Sequence, residues 1–144
     1  MLSQLSDTII NKSDVARALE VSEPTVSQYL NIANGTFFWR QLLSYETNIT
    51  KSIVKLPKGH IRDSGLLHHL LHIRDIESLY SHPIAGRSFE NFVIEEILKG
   101  MQDAGIANTN YRYYRTRGGA EIDLILEGQF GVLPIEIKLG KTII

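Results

Sequence analysis

Two carboxylates and one ammonium near the C-terminus have the types and spacing needed for metal-assisted phosphodiester hydrolysis. Asp123 lies in one run that alternates charged and apolar residues, and Glu136 and Lys138 lie two positions apart in the next. Hard cations such as Mg²⁺ bind one or two carboxylates, while water and substrate phosphate complete the shell. A neighbouring lysine can orient or deprotonate the attacking water. We therefore predict Mg²⁺ or Mn²⁺ ligands at Asp123 and Glu136 and a catalytic role for Lys138.

The runs that carry these residues, 120–126 and 134–138, have the pattern of two strands joined by a glycine-containing turn. Side chains of a strand alternate between faces, so each run places its charged residues on one face and its apolar residues on the other. Pairing as a hairpin brings the two charged faces together. An amphipathic hairpin with a solvated charged face is the simpler alternative.

A helix is predicted before this hairpin. Its apolar residues follow helical spacing, with Ser88 as N-cap, Lys99 as the last residue and Gly100 as the stop signal. Glu90 falls in the first turn, where a carboxylate favours the helix dipole. Directed at the hairpin instead, Glu90 would supply a third acid.

The segment 111–117 between helix and hairpin alternates tyrosine and arginine and precedes a Gly-Gly turn. Strand propensity explains the tyrosines, although they could also stack on bases. Arg115 and Arg117 are the candidate phosphate contacts of this segment.

The N-terminal third predicts a helix-turn-helix followed by a strand pair. Residues 13–19 and 23–30 have helical patterns separated by a short turn, and 37–43 and 52–56 would form a winged hairpin around 45–50. This arrangement resembles winged-helix domains over roughly the first sixty residues.

The distribution of charge argues against sequence-specific DNA binding by this region. The second helix offers Thr25, Ser27 and Gln28 but no lysine or arginine to meet bases and phosphates. The denser basic run follows it, at Lys51, Lys55, Lys58, His60 and Arg62. Lys55 and Lys58 are therefore the candidate nucleic-acid contacts, and packing or partner docking is the favoured role of the module.

The ordered motifs from Lys51 onward resemble those of the domain of unknown function 4143. They are Lys55-Leu56-Pro57-Lys58, Arg62-Asp63-Ser64-Gly65-Leu66, Gly86-x-Ser88-Phe89-Glu90-x-Phe92-Val93, Tyr114-Arg115-Thr116, Glu121-Ile122-Asp123 and Ile135-Glu136-Ile137-Lys138. The resemblance implies a PD-(D/E)XK nuclease-like fold for the C-terminal half, with Glu90, Asp123, Glu136 and Lys138 at motif positions. It also implies a prokaryotic protein in which this domain follows an AAA+-type ATPase domain.

These observations predict an α+β fold with two domains. Residues 1–82 form a winged-helix-like domain, and 83–144 form a truncated PD-(D/E)XK nuclease-like domain that lacks the helix and strand expected after the hairpin. The chain has no glycine-rich nucleotide loop, so no ATP site is expected. The favoured function is a non-catalytic, nucleic-acid-associated interaction module of an ATPase, and the alternative is a metal-dependent nuclease acting on DNA or RNA.

Composition limits the remaining choices. The 144 residues carry a formal net charge of -1 and no cysteine, which excludes disulfides and thiolate metal sites. No apolar run approaches membrane-spanning length and no signal peptide is evident, so a cytoplasmic location is expected. The exposed edge at 134–143 could pair with a second copy to form a homodimer, and a protein partner is the other expected ligand.

Overall fold

The computed structural model describes residues 2–46, 56–116 and 118–140. Its helices are α1 (Leu2–Leu5), α2 (Lys12–Leu19), α3 (Glu23–Gly35), α4 (Ser64–Leu70), α5 (Ile76–Ser81) and α6 (Ala85–Asp103). Its strands are β1 (Thr8–Ile9), β2 (Trp39–Ser44), β3 (Lys58–Ile61), β4 (Asn110–Arg115), β5 (Glu121–Gly128) and β6 (Gly131–Ile135). The α+β class is confirmed. Among these residues, no helix combines the length and apolar character needed to cross a membrane.

The six strands form one mixed sheet in the order β1-β3-β2-β4-β5-β6. Neighbouring strands are antiparallel except β2 and β4, which pair in parallel with Leu43 opposite Arg112. The sheet therefore takes strands from both sides of the predicted boundary at residue 82. The division into two domains stays a prediction.

The two helices predicted in the N-terminal third are confirmed as α2 and α3, and local capping signals explain where they begin. Asn11 caps α2, and Ser22 caps α3, which has a proline in its first turn. Helix α3 continues beyond the predicted end at residue 30 because its buried face continues through Ala33. The strand predicted at 37–43 is β2.

The partner of β2 is β3, which begins at Lys58. The second strand of the predicted wing is expected nearer the N-terminus, at 52–56. Of that range, 52–55 lie outside the described residues, as does most of the predicted turn, and Leu56 is not part of a strand.

Helix α6 begins earlier and ends later than its local sequence signals predict. It starts at Ala85, so the prediction of Ser88 as N-cap is wrong; the Ser88 hydroxyl lies 2.6 Å from Nε2 of His68 instead. It also runs through Gly100. Its end is set by Gly105, whose φ of 70° allows the N–H to reach the carbonyl of Gln102. Glu90 consequently lies in the second turn, away from the strongest influence of the helix dipole.

The C-terminal hairpin is confirmed, with Leu124 opposite Ile135. Its second strand ends at Ile135, so the prediction of a strand through Lys138 is wrong at its end. The Ile137 N–H donates to Oδ2 of Asp123, at 2.7 Å, rather than to a backbone carbonyl. A side-chain acceptor therefore holds the segment that carries Glu136 and Lys138.

Strand β3 is packed closely enough to require glycine at its second position. A Cβ built on Gly59 would lie 2.3 Å from Cζ2 of the buried Trp39. Strand alternation then places Lys58 and His60 on the opposite face, toward α6.

Gly59→Ala is expected to lower the free energy of unfolding by about 1–3 kcal/mol, because a rigid indole must move to admit the methyl group. Chemical denaturation measures the change. Gly100→Ala is the control: it has no atom within 4 Å of its Cβ and should be neutral or slightly stabilising in α6. Equal effects of the two substitutions would contradict the packing explanation.

Candidate functional site

Two buried clusters connect β3 to α6. The first, the Lys58 cluster, consists of Lys58 with Asp7, Glu90 and Glu121. The second, the Glu95 cluster, consists of Glu95 with Arg40, His60 and Arg62. Glu90 and Glu95 belong to α6, so each cluster contains one helix carboxylate.

The Lys58 ammonium lies within hydrogen-bond distance of three carboxylates. Nζ is 2.9 Å from Oδ1 of Asp7, 2.5 Å from Oε1 of Glu90 and 3.0 Å from Oε1 of Glu121. The Lys58 side chain is only 5% exposed. Charged groups are rarely buried to this degree unless they are paired. The ammonium is therefore an internal counter-ion rather than a surface cation.

Burial and crowding alter the titration of this cluster. Burial and, to a smaller extent, the negative charge of Asp7 raise the pKa of Glu90 to about 7, although Lys58 opposes both effects. Burial also raises the pKa of Asp7. Burial alone would lower the pKa of Lys58, but Asp7 and Glu90 raise it above its ordinary value. The ammonium thus stays charged while one neighbouring carboxyl takes up a proton near neutral pH.

An open cavity of about 550 Å³ brings the predicted catalytic residues together. We call it the acidic cavity. Its walls include Asp7, Lys58, Arg87, Glu90, Arg115, Glu121, Asp123, Glu136 and Lys138. The structure therefore places all four predicted catalytic residues, Glu90, Asp123, Glu136 and Lys138, around one space.

Within the acidic cavity, the two predicted metal ligands already have protein partners. Asp123 is 9% exposed and accepts the Ile137 N–H through Oδ2. Oε1 of Glu136 lies 2.8 Å from Nζ of Lys138, and both side chains are largely exposed. Across the described ranges, no group of three or more His, Cys, Asp and Glu residues is arranged to hold a metal ion.

The predicted nucleic-acid contacts lie in different environments. Lys58 is buried in its cluster, whereas Arg115 is about half exposed, with Nη1 4.0 Å from Oε2 of Glu121. Lys55 and Arg117 lie outside the described residues. Arg87 lines the acidic cavity but was not predicted.

The Glu95 cluster is the feature that sequence reasoning missed. Glu95 is 1% exposed, accepts both Nε and Nη2 of Arg40, and accepts Nε of Arg62 at 3.0 Å. Nε2 of His60 lies 3.0 Å from the same carboxylate. A signal did exist: Ser88, Asn91 and Glu95 follow helical spacing and form a buried polar stripe on α6. No sequence pattern near Glu95 indicates that Arg40, His60 and Arg62 are its partners.

These partners reverse the effect of burial on Glu95. Burial by itself would raise the pKa of Glu95, but hydrogen bonds from His60, Arg40 and Arg62 and the charge of Arg40 lower it far below its usual range. The carboxylate therefore remains ionised in the folded protein. Its charge fixes two arginines in place.

The fold and the cavity define a mixed α+β protein with a carboxylate-lined opening between its longest helix and its sheet. Residues 1–77 match the family described as Domain of unknown function (DUF8612), and residues 85–144 match the one described as Domain of unknown function (DUF4143). The chain belongs to the DUF8612 family, which covers more than half of it. The resemblance to the domain of unknown function 4143 is confirmed for the C-terminal part.

Two curated relatives are an uncharacterized protein of Mycobacterium bovis and an uncharacterized protein of Mycobacterium tuberculosis. Each is 35% identical over 142 residues, which cover 99% of this chain and 31% of the relative. The chain thus spans about a third of the length of the curated relatives it matches. Among solved structures, none matches the chain.

Glu95→Gln is expected to lower the free energy of unfolding by about 3–5 kcal/mol, because it leaves two arginines without their buried counter-charge. Glu96→Gln is the matched control, since Glu96 is an exposed neighbour paired with Lys99 and its substitution should change stability by less than about 0.5 kcal/mol. Denaturant titration of both variants compares them. A small effect of Glu95→Gln would mean that the arginines find other partners.

The raised pKa of Glu90 predicts a pH dependence of stability. Folded Glu90 retains its proton up to about pH 7, whereas the unfolded carboxyl releases it near 4.5. The folded state binds more protons in this window, so this contribution is full below pH 4.5 and is lost as pH rises through 7. Relative to Glu90→Gln, the wild type should lose up to about 3 kcal/mol across the window.

Denaturant titrations at several pH values measure this difference. Glu77→Gln, which changes an exposed glutamate of α5, is the control and should follow the wild type. A constant difference between the wild type and Glu90→Gln would contradict the titration of Glu90.

Proposed function

We propose that this chain is a non-catalytic, nucleic-acid-associated interaction module from the C-terminal part of a prokaryotic AAA+-type ATPase. The observation that carries the proposal is the Lys58 cluster. Its internal ammonium is the counter-ion of Glu90 and of two neighbouring carboxylates, and Asp123 is engaged by a backbone N–H. The acid groups that suggested catalysis therefore serve the protein's own structure.

Within this proposal, residues 1–82 form a winged-helix-like domain and 83–144 belong to a PD-(D/E)XK nuclease-like domain. The first assignment draws support from α2, α3 and the antiparallel pair of β2 and β3. The second draws support from α6, β4, β5 and β6, which carry or flank the acidic motif residues. Fold-level similarity by itself does not specify activity.

The ATPase context is supported by length. The match covers 31% of each relative, so roughly twice the length of this chain lies outside it in each of them. That remainder is long enough for an ATPase domain. A cytoplasmic location accords with this context and with a chain that has no cysteine.

Self-association through the sheet edge is a further proposal. Strand β6 ends the sheet, and Phe130, Val132 and Leu133 beside or within it are about half exposed. An exposed edge tends to recruit another strand, although Pro134 lacks an N–H and weakens this edge as a template. A monomeric mass at micromolar concentration would exclude the dimer.

The second candidate is a metal-dependent nuclease, favoured by the convergence of Glu90, Asp123, Glu136 and Lys138 on the acidic cavity. Asp123 and Glu136 would hold Mg²⁺ or Mn²⁺, which requires only one or two carboxylates when water and phosphate complete the shell. The ion would stabilise negative charge on phosphate oxygens. Arg87 and Arg115 would contact the phosphate.

Calorimetric titration of MnCl₂ separates the two candidates. If the chain is a non-catalytic module, wild type and Asp123→Asn should give the same Mn²⁺ titration. Wild type should also not cleave plasmid DNA, single-stranded DNA or RNA in the presence of Mn²⁺. Asp103→Asn removes an exposed carboxylate of α6 and is the matched control.

The same variants test nucleic-acid association. Asp123→Asn and Lys138→Gln should leave nucleic-acid binding within about twofold of wild type, because Asp123 is buried against the Ile137 N–H and Lys138 is a single exposed charge that contributes little. Mn²⁺ binding lost in Asp123→Asn, together with cleavage lost in Lys138→Gln, would establish the nuclease and reject the non-catalytic module.

A further inference from the structure

An exposed phenylalanine adopts a backbone conformation that usually belongs to glycine. Phe37 has a φ of 60° and is 76% exposed. It follows the end of α3, where its N–H donates to the Asn34 carbonyl and the next N–H donates to the Ala33 carbonyl. Helices often end this way, but with glycine in the left-handed position because a Cβ is strained there. The left-handed conformation of Phe37 therefore lowers the stability of the fold relative to glycine or asparagine at this position.

The ring of Phe37 packs on an arginine. Cζ of Arg62 lies 5.5 Å from the ring centroid. Nε of Arg62 donates to Glu95, and no other side-chain hydrogen bond of Arg62 is found within the described residues. The guanidinium is thus held by the ring and by the carboxylate, and the Arg62 side chain, which is 22% exposed, also lines an open cavity.

A second arginine and a second ring lie beside this pair. Cζ of Arg40 lies 5.1 Å from the Tyr111 ring centroid, and Nη1 donates to the Tyr111 hydroxyl at 2.9 Å. Arg40, Arg62 and Tyr111 line an open cavity of about 370 Å³. We call Phe37, Arg40, Arg62, Tyr111 and this cavity the Arg62 surface. Two guanidiniums share one carboxylate, Glu95, which leaves net positive charge there.

We propose that the Arg62 surface binds a single-stranded nucleic acid, with a base stacked on the open face of Phe37 and a phosphate held by the terminal nitrogens of Arg62. Aromatic stacking combined with arginine contacts is the usual chemistry of single-strand recognition. A duplex does not offer an unstacked base to an isolated surface ring. Glu95 positions Arg62 in advance, so little side-chain entropy is lost on binding. The inference rests on the proposed nucleic-acid association and locates it away from the acidic cavity.

Fluorescence anisotropy with a labelled oligothymidine of about 12 nucleotides tests the surface. Wild type should bind saturably. Phe37→Asn should weaken binding by about tenfold, within the range of one lost base stack. Because asparagine tolerates the left-handed conformation, its relief of backbone strain should offset the lost contact with Arg62, and the variant should melt within a few degrees of wild type. A larger drop in its melting temperature would assign Phe37 a structural role and overturn the proposal.

Arg62→Gln tests the phosphate contact, and Tyr80→Asn is the matched control. Arg62→Gln should weaken binding and flatten the dependence of affinity on salt, as expected for one lost phosphate contact. Tyr80 is an exposed tyrosine of α5, 57% accessible, outside the Arg62 surface. Its substitution should leave the affinity within about twofold of wild type, because a distant ring does not contribute to stacking.

Failure of this surface and failure of the proposed function give different results. Wild-type binding that both Phe37→Asn and Arg62→Gln retain would reject the surface and leave nucleic-acid association standing. No binding of single-stranded DNA or RNA by wild type would reject both. Polyglutamate that competes as well as the oligonucleotide, at equal charge concentration, would identify a general anion site and overturn the nucleic-acid assignment.

Discussion

Helix α6 is held across strand β3 at two points, and at each point a buried glutamate meets a basic side chain. Glu90 contacts Lys58, and Glu95 contacts His60. Buried charges are costly unless they are paired, so a shift of the helix along the strand would leave both carboxylates without partners. This constraint fixes the wall of the acidic cavity and the arginines around Glu95. On the opposite face of strand β3, Gly59 leaves room for Trp39.

The two clusters give two neighbouring points of helix α6 opposite electrostatic character. The Lys58 cluster gathers three carboxylates around one ammonium, whereas the Glu95 cluster gathers two guanidiniums around one carboxylate. A polyanion is therefore attracted to the Glu95 cluster, whereas it needs an added cation to bind near the Lys58 cluster. This difference connects the proposed non-catalytic module with the proposed role of the Arg62 surface. Most of the acids that line the acidic cavity make structural contacts within the protein.

Local patterns predicted the elements whose signals lie within a few residues. Asn11 and Ser22 cap their helices, and the alternation around Asp123 defines β5. Predictions failed where a local signal competed with tertiary packing. Ser88 resembles a helix cap but faces His68, and Gly100 resembles a stop although the helix passes through it because Gly105 supplies the left-handed turn. Of the candidate site, the sequence predicted the motif residues that line the acidic cavity, but not the ion pairs that these residues form.

The sequence by itself determined the two N-terminal helices, the C-terminal hairpin and the set of acidic residues around it, because hydrophobic period and capping act between near neighbours. Only the tertiary structure decided what the charges do. In the sequence, Lys58 is one cation of a basic run, and no pattern near Glu95 indicates its partners. In the structure, Asp7, Glu90 and Glu121 surround Lys58. The partners of Lys58 and Glu95 come from segments far away along the chain. Ion pairing depends on distance in space and on burial, and neither can be read from local spacing.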